Sequence, residues 1–149
     1  MSVDIHIEDA RWRKIRNLPS HLRMAVRRTL AAERRKGSLT VLLTGDEALQ
    51  TLNRRFRRKN KPTNVLSFPA SSGHQAYLGD IAIAYGVTAT EAKAAKTRVT
   101  DHAVHLAVHG TLHLLGYDHV KTGEAEIMEG REIAILARLG IRNPYRQAS

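Results

Sequence analysis

Val104-His105-Leu106-Ala107-Val108-His109-Gly110-Thr111-Leu112-His113-Leu114-Leu115-Gly116-Tyr117-Asp118-His119 is the stretch on which the reading of this chain turns. His109 and His113 are four apart, so on a helix they lie one above the other on a single face. That is the spacing from which two imidazoles reach one tetrahedral ion. Gly116 permits the left-handed turn that breaks a helix, letting the chain double back and bring His119 to the same point. Three neutral imidazoles leave one position open, which is the pattern of a catalytic zinc site rather than a closed structural one.

The offsets of the three histidines and the glycine match the H-E-x-x-H-x-x-G-x-x-H pattern of metzincin proteases. The glutamate that serves those enzymes as general base is Gly110 here. The ligand cage is present without the peptidase base, so the chemistry points away from proteolysis. His102 lies two turns before His109, about 10 Å along the axis. It is too far away to share the ion, and either contacts substrate or simply opens the helix beside Asp101.

Working outward, the flanking sequence reads as an α+β domain spanning residues 1–149. Val3, Ile5 and Ile7 alternate with polar neighbours as a first strand. Pro19-Ser20 reads as the cap of a helix over His21–Arg35, stopped at Gly37. Leu39–Thr44 forms a second strand, and Asp46 caps a helix running toward Phe56. Asn64–Phe68 makes a third strand closed by Pro69, residues 70–76 a turn, and Asp80–Tyr85 a fourth strand after a Leu78-Gly79 turn. Helices follow over about 87–98, Asp101–Leu115 and Thr122–Leu139, the last ended by Gly140. A small four-stranded sheet with about five helices is expected.

Composition narrows the partners. The 149 residues contain no cysteine, which excludes disulfides and thiolate metal sites and leaves nitrogen and oxygen ligands. No apolar run approaches the ~20 residues that span a bilayer, and the N-terminus has no signal-peptide core, so a soluble cytoplasmic protein with no membrane partner is expected. The net charge is +10. Ten basic residues and one acid, Glu33, lie between Arg11 and Lys36, and six bases fall in the eight positions 54–61. Such density focuses potential on polyanions, nucleic acid above all.

At this point the sequence resembles a known family. His109-Gly110-Thr111-Leu112-His113-Leu114-Leu115-Gly116-Tyr117-Asp118-His119 is similar to the signature of the YbeY family of bacterial metal-dependent endoribonucleases. Leu52-Asn53, Phe56-Arg57, the block Lys61–Pro69 and Leu78-Gly79-Asp80-Ile81 resemble its other conserved blocks. Glu126, Met128, Glu129 and Glu132 fall where that family has an acidic helix. Arg58 and Asn60 depart from the glycine and aspartate commoner there. The resemblance implies a zincin-like α+β fold with a small mixed sheet. It also implies a single-strand-specific endoribonuclease acting in 16S rRNA 3′-end maturation and ribosome quality control at the small ribosomal subunit. Carried over by motif, His109, His113 and His119 are the ligands of one Zn2+ (nickel or manganese suit the same donors), and Arg57, with His109, is catalytic.

Arg57 either gives a planar donor fork to the scissile phosphate or clamps the backbone as its neighbours do. Arg54, Arg55, Arg58, Lys59 and Lys61 would track RNA phosphates in a salt-dependent way. Asp118 either holds an imidazole tautomer from behind or stabilises the turn after Gly116. Asp80 either approaches the metal or ends the Leu78-Gly79 turn. Met128 is either a methionine beneath the metal, as in metzincins, or core. The competing reading is a non-catalytic rRNA-binding ribosome-assembly factor with a structural metal.

Overall fold

Alternation of apolar and polar side chains starts the sheet. Val3–Ile7 (β1) pairs in parallel with Ser38–Thr44 (β2), Val3 opposite Leu39 and Ile7 opposite Leu43. The computed structural model describes residues 2–57, 63–70, 76–117 and 122–145. Between the first two strands stand a 3-10 turn at Ala10–Lys14, capped by Asp9, and the helix Leu18–Ala32 (α1). After β2 come Asp46–Arg57 (α2) and Val65–Pro69 (β3). Tyr77–Ala84 (β4) then inserts between β2, to which it is parallel, and β3, to which it is antiparallel. The order is β1-β2-β4-β3, a mixed four-stranded sheet in which β3 is an edge. Three helices follow: Tyr85–Ala94 (α3), Val99–Leu114 (α4) and Thr122–Arg138 (α5). The expected α+β architecture with four strands and five helices is what forms among the described residues.

The period of two sorts the sheet's faces. Leu39, Val41 and Leu43 of β2 and Ile81 and Ile83 of β4 join the main core with α1 and α4. Leu66, Ala82 and Ala84 point the other way and form a smaller core with Leu49 of α2, with Leu42, Leu52 and Phe68 packed against it. Helix α4 is the centre of the molecule. Nine of its sixteen residues are buried, on several sides, as expected of a helix packed by neighbours all round rather than along one stripe. It crosses β3 and β4 closely enough that the Ser67 hydroxyl donates to the Gly110 carbonyl at 3.3 Å. Among the described residues no helix is long and apolar enough to cross a membrane.

Several boundaries differ from the sequence reading, each for a local reason. Helix α1 starts at Leu18 rather than His21. Asn17, at φ 59°, turns the chain into it, and Pro19 occupies its first turn, where its missing N–H costs nothing. It ends at Ala32, because Arg34 adopts φ 54° and the Arg35 N–H returns to the Leu30 carbonyl at 2.9 Å. Asp46 does not cap α2. The Gly45 carbonyl opens that helix by accepting from Leu49 N–H at 3.0 Å, while the Asp46 carboxylate accepts from Val87 N–H at 2.9 Å and so caps α3. That is why α3 begins at Tyr85. Leu78-Gly79 is not a turn but part of β4. Gly79 has φ +141°, and a Cβ there would collide with the Phe68 carbonyl oxygen, so the glycine lets the edge strand close on its neighbour. The expected 70–76 turn lies largely outside the described residues.

Candidate metal centre

Helix α4 carries His102, His105, His109 and His113 in a row, with adjacent ring centroids 5.8, 6.4 and 4.6 Å apart. The last two converge: the Nε2 atoms of His109 and His113 are 3.1 Å apart. The other nitrogen of each ring is already engaged. His109 Nδ1 donates to Glu132 Oε1 at 2.6 Å, and His113 Nδ1 donates to the backbone carbonyl of Tyr117 at 2.9 Å. A carbonyl and a carboxylate only accept, so both protons sit on Nδ1 and both Nε2 lone pairs turn toward one point. Two imidazole nitrogens on a tetrahedral Zn2+ at 2.0–2.1 Å would be about 3.3 Å apart. The pair therefore fits such an ion, and each ring has the outer acceptor that histidine ligands require.

Glu132, on α5, is fully buried. Burial pushes its pKa up, but hydrogen bonds from His105, His109 and Tyr145 outweigh that and bring it down to about 2. Its Oε2 accepts from His105 Nε2 at 2.9 Å and from the Tyr145 hydroxyl at 2.6 Å. Burial and then Glu132 drive the Tyr145 pKa well above the ordinary range. His105 Nδ1 is buried and without a partner among the described residues, so the His105 proton belongs on the Glu132 side. Glu132 is thus an ionised carboxylate saturated by three donors. The sequence reading passed over this role, although the signal was visible. On α5 the spacing Met128, Glu132, Ile135, Leu136 places one acid on a stripe whose other members are core residues.

A second brace starts from the adjacent residue. Arg131 Nε donates to Glu33 Oε2 at 2.7 Å, and the Tyr117 hydroxyl donates to Glu33 Oε1 at 2.5 Å. Glu33, the one acid between Arg11 and Lys36, is therefore bound to the turn after the histidines. The bond to Glu33, and then burial, raise the Tyr117 pKa. The turn is the one Gly116 was expected to supply: its φ is +106°, and Tyr117 N–H bonds back to the Leu112 carbonyl at 3.1 Å. Neither Glu33, Tyr117 nor Arg131 was singled out from sequence.

The remaining candidates are placed as follows. His119 and Asp118 lie outside the described residues, as do Arg58, Lys59, Lys61 and the side chain of Arg57, whose backbone closes α2. Arg54 and Arg55 are exposed near the end of α2. Among the described residues, no third ligand-type side chain joins the histidine pair as an ion site. His102 bonds Glu91 of α3 through Nε2 at 2.8 Å and is turned away from the pair. Asp80 neither approaches the histidines nor ends a turn: it lies within β4, on the face opposite α4, bonded by the Tyr77 hydroxyl. Met128 is buried in the main core. Gly110 faces the sheet, where a Cβ would lie 2.8 Å from Ile81 Cγ2. A glutamate could not be accommodated at this position.

The fold and site thus define an α+β protein with a histidine centre of metal-ligand type at its middle helix. A family model described as endoribonuclease YbeY matches residues 4–140. The endoribonuclease YbeY of Ruegeria sp. (strain TM1040) is 46% identical, the match covering 97% of this chain and 96% of that protein. The one from Gluconobacter oxydans (strain 621H) is also 46% identical, over 99% and 89%. The solution structure of TM1509 from Thermotoga maritima superposes with a TM-score of 0.57 at 22% identity, covering 93% of this chain and 91% of that one, which supports the fold. The chain belongs to the endoribonuclease YbeY family.

Proposed function

We propose that this protein is a zinc-dependent, single-strand-specific endoribonuclease of the cytoplasm, acting on 16S rRNA during 3′-end maturation and ribosome quality control. The observation that carries the metal reading is the pair of Nε2 atoms 3.1 Å apart, each on a ring whose Nδ1 is already committed. His109, His113 and His119 would hold one Zn2+, and nickel or manganese suit the same nitrogen donors. When bound, the ion supplies Lewis-acid polarisation of a phosphoryl oxygen and acidifies a water toward a pKa of ~7. The protein's own residues do the rest. Glu132 and the Tyr117 carbonyl keep the protons on Nδ1, so the ligand nitrogens remain basic. Gly110 leaves no protein carboxylate in the place of the peptidase base. RNA tolerates that absence better than a peptide, because its 2′-hydroxyl is a built-in nucleophile.

Arg57 would supply a planar, permanently charged donor to the scissile phosphate as negative charge accumulates. Arg54, Arg55, Arg58, Lys59 and Lys61 would hold neighbouring phosphates. The end chemistry separates two routes, since a 2′,3′-cyclic phosphate excludes direct attack by water. The decisive experiment incubates wild-type protein and His113→Ala with a single-stranded RNA, with and without chelator. Cleavage that needs both the histidine and the metal is expected. Equal cutting by both proteins in both conditions would assign the activity to a contaminant and end the proposal.

A further inference from the structure

We infer a nucleobase-binding site on the face of the sheet opposite the histidines, built from Phe56, Phe68 and Asp80 and selective for bases that carry an exocyclic amino group. The inference rests on the ribonuclease reading and adds to it a sequence preference.

The strand register puts Asp4, Thr40, Asp80 and Phe68 in one row across all four strands, on the side away from α4. Helix α2 covers only the end of this face around Leu42, Leu66, Ala82 and Ala84, and Asp80 stays exposed. Phe56, on the last turn of α2, packs edge-on against Phe68 with centroids 5.8 Å apart and planes at 74°. It nevertheless remains 62% exposed, an apolar ring facing water where a core residue would be covered. Arg54 and Arg55 precede it, and α2 contains no acid from Ala48 onward.

An exposed ring on a helix end rich in arginine suits single-stranded nucleic acid, the cations attracting the backbone while the ring takes a base. Asp80 supplies what a bare platform lacks. It stands directly opposite Phe68 in the antiparallel ladder, where Cβ atoms are about 5 Å apart. The Tyr77 hydroxyl donates to its Oδ1 and also lies 2.8 Å from the Thr40 hydroxyl. Among the described residues nothing donates to its Oδ2. A fixed carboxylate beside a stacked base accepts from an amino group such as cytosine N4 and repels a carbonyl such as uracil O4. Position links this face to the metal centre. Ser67, the neighbour of Phe68, donates to the Gly110 carbonyl beside His109, so a single edge strand separates the aromatic pair from the helix that carries the histidines.

The test measures binding of equal-length oligocytidylate and oligouridylate by fluorescence anisotropy, with chelator present to prevent cleavage. Wild-type protein is expected to bind the cytidine oligomer about five- to tenfold more tightly. Phe56→Ala should weaken both by about tenfold and Phe56→Trp should not, whereas Asp80→Asn, which offers a donor, should abolish or invert the preference. Equal binding of the two oligomers by wild-type protein would overturn the site while leaving the ribonuclease reading intact, as would a Phe56→Ala variant that binds like wild type. If wild-type protein binds neither oligomer, the RNA reading falls and takes this inference with it.

Discussion

Replacing Glu132 by glutamine tests whether the histidine pair is tuned from behind. The carboxylate has two oxygens and three donors: His109 at 2.6 Å on one, His105 at 2.9 Å and Tyr145 at 2.6 Å on the other. Glutamine keeps the shape but offers one acceptor and one donor, so one side of the site must fail. If the amide nitrogen faces His109, Nδ1 has to accept, its proton moves to Nε2, and the ligand lone pair is lost. If it faces His105 and Tyr145, the His105 proton must move to a buried Nδ1 that has no acceptor among the described residues. The first outcome costs the pair a ligand lone pair directly, and both remove the negative charge that a bound cation would feel through His109. Outer-shell substitutions of this kind weaken metal binding by about 10–100-fold, or about 1.4–2.7 kcal/mol. Zn2+ affinity would be read by competition with a chromophoric chelator on folded protein, with circular dichroism as the check on folding. Tyr145→Phe, which removes one donor and leaves His109 Nδ1 bonded, should show a smaller loss. A folded Glu132→Gln protein with wild-type affinity would refute the reasoning.

Four further outcomes are expected. Glu33→Gln strips the counter-charge from Arg131 and weakens the Tyr117 bond, so urea unfolding should show a loss of about 1–3 kcal/mol; an unchanged midpoint would mean that the bridge contributes nothing. At Gly110, alanine gains about 1 kcal/mol of helix propensity but drives a methyl to 2.8 Å from Ile81 Cγ2, a clash costing about 1–3 kcal/mol, so a lowered melting temperature is expected, with Gly110→Glu far worse. Replacing Arg54 and Arg55 by glutamine should flatten the log–log salt dependence of RNA binding by ~0.7 for each phosphate no longer neutralised; an unaltered slope would take the strand elsewhere. Finally, bonds from the Arg11 side chain and backbone hold the Asp9 pKa down to about 2, against 3.8 for the free group. An acid shifted downward stabilises the fold above its unfolded pKa, and that contribution fades as pH falls from 3.8 through about 2. Asp9→Asn should therefore flatten the melting temperature against pH in that window and lower it at pH 7, where the contribution is fully present, though only modestly because Arg11 is largely exposed.

What could be read from the sequence followed from local rules. Alternation identified the first strand and short β-rich runs the other three, and the spacing of four with a glycine to follow identified α4, its histidine face and the turn at Gly116. What escaped depended on partners far along the chain. Asp46 looks like a helix cap because it is one, but for α3, 41 residues away in its bond to Val87. Gly79 looks like a turn until the approach of Phe68 from another strand is known. Asp80 drew attention as an acid near a glycine, yet the parity of the strand puts it on the far face of the sheet. Glu33 and Glu132 act across separations of 84 and 23 residues. No periodicity encodes such pairings, although an acid on a stripe of buried positions, as at Glu132, is a clue.

Both braces arise from Arg131 and Glu132, neighbours on the last helix, and the third donor to Glu132 is Tyr145. On the ribosome this order of assembly matters. A growing chain halted after Gly130 would already carry every histidine of the motif, yet His109 would lack the carboxylate that orients it. If the chain is the ribonuclease proposed, its metal-binding pair reaches its full orientation only once α5 has docked and Glu132 has met His109.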